Sequence, residues 1–474
     1  MKYKHKNKQT LKRKLKTKTN TKTKTNTKTN TKTKKKANHN KSHTRHNHHH
    51  PHHSHHSHNT LIQSPKLLYE KQYVLLPNLK GGKFVDRGGY GCVVTPAISC
   101  SSTDINLDKS VSKIVKDPDG SDISTELKIS NFLKKIDPLQ KYFITYDNIC
   151  RINKLPKDRT DLLSVKYTDD EMEDYKTIEN NKDKDKDVCD IEVSLHPINL
   201  IMKHAGNSLS SIMKVDRKSK GTLAKMHQLF IENFKKCFKH LIIGLIKMHK
   251  NKIVNRDIKQ RNIMIKWNTD TYKNKSSNKY SSKNDIKNDS EKQKDILEIR
   301  YIDFGLSDII TSDMYKHTSN IRLKGTYFYI SPELFISYII TNNNNRSRNY
   351  HMKKINTEIN ENVKKALLRI NEKEILNNLN KDIDILYDKI KFLVDKDKIL
   401  EVYFGSKTKI YNGYLQKGDV YALGISMFET LYHYSHIDAK SNKNLYDLLS
   451  NMIKIDPDKR YNAIQCLSHP YFTS

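Results

Sequence analysis

The stretch Asn255-Arg256-Asp257-Ile258-Lys259-Gln260-Arg261-Asn262 combines a carboxylate, an ammonium group and a carboxamide within a few residues. A helical pattern of apolar residues precedes it, and Ile263-Met264-Ile265 after it is typical of a strand. Phosphoryl transfer needs a carboxylate near the attacking hydroxyl, a cation near the transferring phosphate and an oxygen ligand for a metal ion. Asp257, Lys259 and Asn262 provide these three groups. The sequence therefore predicts a catalytic loop at this point.

A glycine-rich stretch lies upstream between two strand patterns, and it reads Val85-Asp86-Arg87-Gly88-Gly89-Tyr90-Gly91-Cys92-Val93. A loop that covers phosphate groups needs residues without side chains, because backbone N–H groups must approach the anionic oxygens. Gly88 and Gly91 meet this need, and Gly89 adds conformational freedom. An ordinary hairpin fits the same pattern, so both interpretations stay open.

A lysine on the next strand pattern is a second candidate for phosphate binding. Val111-Ser112-Lys113-Ile114-Val115-Lys116 contains two lysines, and Glu126 follows in a helix predicted over about residues 123–136. A lysine held by a carboxylate is able to reach the α- and β-phosphates of a nucleotide. We favour Lys113, because its spacing to Glu126 leaves room for a turn and one turn of helix. Lys116 is the alternative.

A further candidate is the aspartate in Tyr301-Ile302-Asp303-Phe304-Gly305. It follows a short apolar strand pattern and precedes a glycine, a placement that suits a carboxylate holding Mg²⁺ against nucleotide phosphates. Asp-Phe-Gly is common by itself. Its position after the catalytic-loop stretch gives it weight.

In this order the four segments resemble the eukaryotic-type protein kinase family. Gly325-Thr326-Tyr327-Phe328-Tyr329-Ile330-Ser331-Pro332-Glu333 resembles the end of the family's activation segment. Gly418–Gly424 resembles a helix start whose aspartate, here Asp419, braces the catalytic loop. Asp456–Arg460 resembles the motif whose arginine pairs with the buried glutamate, which implies a pair between Arg460 and Glu333.

The resemblance covers about residues 76–472, less the insertions. Gly91–Val94 and Ile136–Pro138, together with the Lys- and Asn-rich style of the chain, further resemble protein kinases of large DNA viruses. The family implies an α+β, bilobal protein kinase fold, with a small β-rich N-lobe that carries one key helix and a larger, mostly helical C-lobe. The N-lobe would span residues 76–205 and the C-lobe residues 206–474.

Three insertions into this domain are expected near residues 166–188, 268–294 and 341–411. The third contains helix-prone sequence at Val363–Leu376 and Ile383–Val394, and we expect it to be a tolerated surface expansion. Elsewhere, apolar residues at helical spacing predict one helix over about Met226–Lys250.

The resemblance also implies an activity, that of a serine/threonine protein kinase transferring the γ-phosphate of ATP to protein substrates with Mg²⁺. Asp257 would orient the substrate hydroxyl and Lys259 would neutralise the γ-phosphate. Asn262 and Asp303 would hold Mg²⁺. Thr326, acting with Lys259, favours Ser and Thr over Tyr as acceptors.

ATP would bind to residues 85–93 and to an ion pair between Lys113 and Glu126. The backbones of Lys203 and Ala205 would bind adenine, with Val93 packed on the ring and Met202 at the back of the pocket. These residues lie on or just after a buried-type strand predicted at Ile198–Lys203.

The chain departs from the family at three positions. Asp86 replaces the first glycine of the phosphate loop, which lowers nucleotide affinity if its carboxylate points at the phosphates. Asn255 replaces a histidine of the catalytic loop, and Ser331 replaces an alanine; we expect both changes to be tolerated. The alternative to an active enzyme is a pseudokinase scaffold or a protein that binds partners through a basic tail.

Arg256 has two open interpretations. In the family such an arginine often binds a phosphate on the activation loop, for which Thr311, Ser312, Thr318 and Ser319 are candidates. It also suits a structural role, bonding to backbone carbonyls.

The chain carries Lys+Arg 87 against Asp+Glu 52, a net charge of +35. Residues 1–60 hold 18 of the Lys and Arg and no acidic residue, which leaves +17 for the rest (35 minus 18). With its Lys-Thr repeats and His-rich run, this tail is predicted to be disordered. Contact with nucleic acid or anionic surfaces would be nonspecific.

The six cysteines are scattered and contain no Cys-x-x-Cys pair, which favours a reducing compartment and neither a disulfide framework nor a zinc site. Apolar runs are short, and the basic N-terminus lacks the apolar core of a secretory signal, so no transmembrane segment is expected. We expect an intracellular, cytoplasmic protein, in host cytoplasm or a virion if the chain is viral, with a nuclear location also open.

Overall fold

The computed structural model describes residues 73–74, 83–88, 91–100, 106–115, 121–152, 197–215, 221–268, 297–311, 323–399, 413–434 and 442–473, all within one unit, Gln63–Ser474. The tail at 1–60, the predicted insertion at 166–188 and, apart from Asn268, the predicted insertion at 268–294 lie outside these residues. The described residues combine mostly antiparallel sheets with many helices, which fits the α+β class.

Six strands form the main sheet, in the order β1-β5-β6-β4-β3-β2. Their bounds are β1 Tyr73–Val74, β2 Lys83–Gly88, β3 Gly91–Thr95, β4 Ser110–Val115, β5 Tyr146–Ile152 and β6 Ile198–Lys203. The glycine-rich stretch therefore joins β2 and β3, which pair antiparallel. β4 contains Lys113 on the predicted strand pattern, and β6 has the predicted bounds and is buried along most of its length.

One helix, α1 at Ser121–Ile136, packs against this sheet and confirms the predicted helix. Ile123 and Leu127, one turn apart, join a cluster with Leu200 on β6. Ile129 and Leu133 belong to the larger core of the helical part. α1 therefore contacts both hydrophobic clusters, which fixes the direction in which its polar residues point.

The remaining elements are mostly helices. They are β7 Asn207–Ser208, α2 Leu209–Met213, α3 Thr222–Glu232, α4 Phe234–Lys250, β8 Ile253–Val254, β9 Ile263–Trp267, β10 Leu297–Tyr301, β11 Asp308–Ile309, α5 Pro332–Asn342, α6 Arg348–Lys354, α7 Glu361–Arg369, α8 Lys373–Asp395, α9 Tyr414–Tyr434, α10 Lys443–Met452, α11 Ala463–Leu467 and α12 Pro470–Thr473. β9 pairs with β7 and β10, and β8 pairs with β11. α9 begins at Tyr414, four residues before the helix start expected at Gly418.

The single helix predicted over Met226–Lys250 is two helices, α3 and α4. Asn233 stands between them, and its side-chain amide donates to the carbonyl oxygen of Leu229 at 2.8 Å. Asn side chains compete in this way with the helical backbone, so they favour helix ends. The apolar spacing continues across the break, with Phe230, Phe234 and Phe238 in ring contact. Each buried ring contributes about 2 kcal/mol to stability.

The third insertion is part of the core, and the expectation of a surface expansion is wrong over its described residues. Val363, Leu367, Ile383 and Ile390 are buried in the main hydrophobic cluster. The helix predicted at Val363–Leu376 divides into α7 and α8, because residues 370–372 form a turn between them. Burial of one apolar face per helix explains why these helices pack on the domain.

Cys100 and Cys150 form a disulfide, which the prediction of a reducing compartment did not anticipate. Cys100 follows β3 and Cys150 lies on β5, and both belong to a small apolar cluster with Ile201. Sequence spacing gave no hint of the pair, because the two residues are 50 positions apart. The cysteine pattern therefore no longer supports a reducing compartment.

Within the described part of the chain, none of the helices combines the length and the apolar character that crossing a membrane requires.

Candidate active site

Asp257 is the centre of a hydrogen-bonded group that contains the predicted catalytic residues. Its Oδ1 accepts from the hydroxyl of Thr326 at 2.8 Å and from the Thr326 backbone N–H at 3.1 Å. Its Oδ2 accepts from Lys259 Nζ at 2.8 Å and from Asn262 Nδ2 at 3.0 Å. Lys259 Nζ also donates to Thr326 Oγ1 at 2.8 Å. Three residues thus hold one carboxylate in a fixed orientation through four hydrogen bonds.

The catalytic-loop backbone is held by Asp419 on α9. Its two carboxylate oxygens accept from the backbone N–H groups of Asn255 and Arg256, each at 2.8 Å. His249 Nε2 lies 3.1 Å from Asp419 Oδ2. Arg256 has φ +67°, a left-handed conformation that non-glycine residues adopt at a cost of about 1–3 kcal/mol unless their surroundings impose it. The paired acceptors on Asp419 impose it here.

Asn255 has a structural role in this loop. Its Oδ1 accepts from the Asp257 backbone N–H at 3.0 Å, and its carbonyl oxygen accepts from the Ser307 hydroxyl at 3.1 Å. A side-chain oxygen bonded two residues ahead is the local turn that Asn favours. Asn255 therefore stabilises the turn that presents Asp257.

Gly325 permits the contact between the Thr326 segment and the catalytic loop. It has φ +116°, and a Cβ atom at this position would lie 2.4 Å from the carbonyl oxygen of Arg256. Any side chain would therefore push Thr326 away from Asp257. This is a close approach that only glycine allows.

A second charged group contains Lys113, Glu126 and Asp303. Lys113 Nζ bonds Glu126 Oε1 at 2.8 Å and Asp303 Oδ1 at 2.9 Å. The hydroxyl of Tyr146 donates to Glu126 Oε1 as well. β4 carries Lys113, α1 carries Glu126 and β5 carries Tyr146, so three elements of the sheet region converge here. Lys116, the alternative lysine, lies outside the described residues.

The surroundings of this group shift the pKa values of Lys113, Asp303 and Tyr146. Burial would lower the pKa of Lys113, but its electrostatic interactions with Tyr146, Glu126 and Asp303, in that order, raise that pKa well above its ordinary value. Burial raises the pKa of the Asp303 carboxyl, yet the Lys113 ammonium outweighs this and leaves the pKa below its ordinary value. Burial raises the pKa of the Tyr146 phenol, which therefore stays a donor.

Asp303 and Asn262 come together through the β9–β10 pair. Tyr301 is in register with Ile263, and the Ile302 N–H donates to the Asn262 carbonyl oxygen at 3.0 Å. Asp303 has φ +60°, and its side chain is 40% exposed. The backbone therefore turns sharply at Asp303 and directs the carboxylate back towards Lys113.

The other predicted ATP-binding residues lie on or next to strands β2, β3 and β6. Residues 85–88 lie on β2, Cys92 and Val93 lie on β3, and Val93 is in register with Lys113. Gly89 and Tyr90 lie outside the described residues, and Gly91 begins β3. Lys203 ends β6, Met202 before it packs on the Leu200 cluster, and Ala205 is buried two residues later. The placement of the Asp86 carboxylate is outside the described side chains.

Glu333 forms the pair with Arg460 that the resemblance implied, at 2.6 and 2.9 Å. The Ser331 hydroxyl donates to Glu333 Oε1 at 2.7 Å. The serine that replaces the family's alanine thus adds a hydrogen bond to a buried carboxylate. Of the phosphorylation candidates only Thr311 is described, and it is exposed.

Arg256 pairs with a carboxylate of its own chain. Its Nη1 bonds Asp308 Oδ2, and Lys324 Nζ bonds Asp308 Oδ1 at 2.9 Å. Burial raises the pKa of Asp308, but Arg256 and Lys324 hold it below its ordinary value. Asp308 on β11 therefore links the catalytic loop to the segment just before Thr326 without a phosphate.

We expect Asp308→Ala to lower the free energy of unfolding by roughly 3 kcal/mol, because it removes the carboxylate from a buried Arg256 side chain. Urea unfolding followed by circular dichroism measures the change. Asp388→Ala on α8 is the matched control, since Asp388 pairs with Arg348 at the surface and such pairs are worth less than about 1 kcal/mol. Equal losses in the two variants would contradict this account of Asp308.

Sequence reasoning missed Tyr146, Asp308 and His249. Tyr146 gives no local signal, because its partner Glu126 lies 20 residues away on another element. Asp308 follows Gly305 by three residues. Its charge is opposite in sign to that of Arg256, which was only a weak signal that the two residues pair. His249 lies at the end of an apolar helix, where a buried histidine needs an acidic partner such as Asp419.

A comparison with curated proteins finds none that matches this chain. The family model described as "Protein kinase domain" matches residues 196–352, about a third of the chain. The matched region contains the catalytic loop, Asp303 and the Thr326–Glu333 segment, and it supports a protein kinase family for this chain.

Proposed function

We propose that this chain is an active, Mg²⁺-dependent serine/threonine protein kinase that transfers the γ-phosphate of ATP to protein substrates. The observation that carries the proposal is the convergence of Lys259, Asn262 and Thr326 on the Asp257 carboxylate. A pseudokinase has no need to keep these donors on one carboxylate. The proposal includes a bilobal domain over residues 76–474.

Asp257 serves in this proposal as the group that orients the substrate hydroxyl and takes its proton. Lys259 and Thr326 hold the carboxylate by donating to it, so its lone pairs are directed without a change of side-chain conformation. Lys259 also brings a positive charge to the same point, where it offsets charge on the transferring phosphate. A threonine bonded to both residues supports Ser and Thr as acceptors.

Asn262 and Asp303 suit a magnesium ion in their chemistry. Mg²⁺ prefers oxygen ligands, and both side chains offer one. The Asn262 amide nitrogen donates to the Asp257 carboxylate at 3.0 Å and to the Asp257 carbonyl oxygen at 2.9 Å, which directs its Oδ1 away from Asp257. When bound, Mg²⁺ neutralises the charge of the β- and γ-phosphates.

Lys113 is the proposed ligand of the α- and β-phosphates, and Glu126 is its positioning partner. The ammonium is buried against two carboxylates, at 2.8 and 2.9 Å, so it keeps its charge and its place. Residues 85–93, Lys203 and Ala205 are proposed to contribute the rest of the ATP site. The β3–β4 register of Val93 with Lys113 supports one continuous nucleotide surface.

The test is an assay with the full chain, Mg²⁺, γ-labelled ATP and a generic protein substrate, followed by phosphoamino-acid analysis. We expect labelled Ser and Thr, and loss of label on chelation of Mg²⁺. Asp303→Asn and Lys113→Ala should reduce transfer by at least about 10²-fold, while Lys116→Ala retains it. Activity in Lys113→Ala with loss in Lys116→Ala would overturn the lysine assignment.

Absence of transfer by a folded wild-type chain, with ATP binding also lost, would overturn the proposal and favour the pseudokinase alternative. Transfer to tyrosine alone would overturn the assignment of acceptor.

A further inference from the structure

Arg261 is an exposed cation next to the proposed catalytic residues. It lies four residues after Asp257 and directly before Asn262, in the short turn Gln260–Asn262. Gln260 anchors this turn to α9, because its side-chain amide donates to Thr430 Oγ1 at 2.9 Å. Among the described residues, no carboxylate forms an ion pair with Arg261. The turn that follows Asp257 therefore carries an exposed guanidinium that has no ion-pair partner among the described residues.

A second cation reaches the same region from the helical insertion. Arg369, the last residue of α7, pairs with Glu429 on α9 and keeps 45% of its side chain exposed. Its guanidinium carbon lies 5.1 Å from the centre of the Phe328 ring, within the range of a cation–π contact. Phe328 follows Thr326 by two residues. The insertion thus delivers a positive charge to the segment that bonds Asp257.

Glu429 is already neutralised, so it offers little attraction to a basic substrate. It accepts from the Tyr329 hydroxyl at 2.8 Å in addition to its pair with Arg369, and its side chain is nearly buried. Burial and Glu429 raise the pKa of the Tyr329 phenol, while Arg369 and Arg261 act in the opposite direction. Both guanidinium groups therefore lie within electrostatic reach of the same phenol.

The local charge count is positive. In one group, the two positive charges of Arg261 and Arg369 outnumber the single negative charge of Glu429. In the other, the two positive charges of Lys324 and Arg256 outnumber that of Asp308. Each group leaves one net positive charge near the Asp257 loop and the Lys324–Tyr329 segment that contacts it. The described residues belong to the part of the chain whose net charge is also positive, which steers acidic partners towards it.

We propose that this kinase acts on acidic protein segments, and that Arg261 and Arg369 select Asp or Glu residues beside the acceptor Ser or Thr. The inference rests on the proposed function, because it names the substrate class of the same site. Arg369 belongs to an insertion within the domain, so the insertion becomes part of substrate selection.

The test compares three synthetic peptides with one acceptor serine, flanked by Asp and Glu, by Ala and Gln, or by Lys and Arg. Two exposed charge contacts are each worth about 1.5- to 5-fold in affinity. We expect kcat/KM for the acidic peptide to exceed that for the neutral one by roughly 3- to 20-fold, mainly through KM. The basic peptide should be the poorest substrate, and about 0.5 M salt should reduce the preference.

Variants that change the charge of Arg261 or Arg369 test whether these residues cause the preference for the acidic peptide. Arg261→Glu should remove most of it by raising KM for the acidic peptide, with kcat nearly unchanged. Arg369→Gln should reduce it while keeping a hydrogen-bonding group near Glu429. Arg348→Glu is the matched control, because this exposed arginine lies in the same insertion, pairs with Asp384 and Asp388, and should leave the peptide ratio unchanged.

Equal kcat/KM for the three peptides, or a preference for the basic one, would overturn this inference and leave the proposed function intact. Equal loss in Arg261→Glu and Arg348→Glu would overturn the assignment to Arg261. Failure to phosphorylate any peptide or the generic substrate would overturn both proposals together.

Discussion

Replacing Asp257 with asparagine is expected to lower kcat for phosphate transfer by roughly 10²- to 10⁴-fold, the range that a positioned general base contributes. The two side chains are nearly equal in size, so the loop keeps its packing. The variant loses the negative charge that accepts from Lys259 and Thr326. An amide at this position cannot take a proton from the substrate hydroxyl. Single-turnover measurement of labelled phosphate transfer gives the rate directly.

The fold of this variant needs a separate check, because the Asp257 carboxylate also organises its neighbours. The KM for ATP should change less than kcat, since Lys113, Glu126 and Asp303 form a separate charged group. Asp395→Asn is the control: this exposed carboxylate pairs with Lys391 on α8, and its loss should leave kcat unchanged. A variant Asp257→Asn that melts like the wild type and transfers phosphate at a similar rate would contradict the proposed role.

Among the candidate site residues, the contacts that the sequence could predict are those whose spacing is local. Asp257, Lys259 and Asn262 lie within one loop between a helix and a strand, so their meeting follows from chain geometry alone. Lys113 and Glu126 are 13 residues apart on consecutive elements, and strand-to-helix spacing was enough to favour that lysine. Contacts of this kind depend little on the rest of the fold.

Contacts between distant parts of the chain were not predictable in the same way. Arg256 and Asp308 are 52 residues apart, and their pair depends on how β11 returns to β8. Arg369 meets Glu429 only because the insertion packs against α9. The insertion itself looked like surface sequence, since charged residues outnumber the apolar ones that form its buried face. Helix propensity predicts that such helices form, but only their packing in the structure shows which face is buried.

The largest expected loss of stability follows from breaking the pair between Glu333 and Arg460. Both side chains are fully buried, and the guanidinium donates to both carboxylate oxygens at 2.6 and 2.9 Å. It also donates to the carbonyl oxygens of Lys454, Ile455 and Lys417. In a bidentate pair with every donor used, the hydrogen bonds offset the free-energy cost of burying the two charges. A single buried charge without its partner has no such compensation and destabilises the fold.

Arg460→Met should therefore lower the free energy of unfolding by about 3–5 kcal/mol, because it leaves the Glu333 carboxylate buried without a cation. Glu333→Gln should cost a similar amount. The double variant Glu333→Gln, Arg460→Met should lose clearly less than the sum of the two, since no buried charge remains in it. Urea unfolding of the three variants and the wild type provides the comparison.

Arg348→Met is the matched control for this cycle, because Arg348 pairs with two aspartates while half of its side chain is exposed. Its loss should cost less than about 1 kcal/mol. Strict additivity of the two core variants would mean that Glu333 and Arg460 stabilise the protein independently, which contradicts a coupled ion pair. Because Glu333 lies in the first turn of α5, two residues after Ser331, and Arg460 is bonded to Lys417 of α9, a broken pair should also loosen the Thr326 segment. Phosphate transfer by Arg460→Met should therefore fall at temperatures where the wild type is still folded and active.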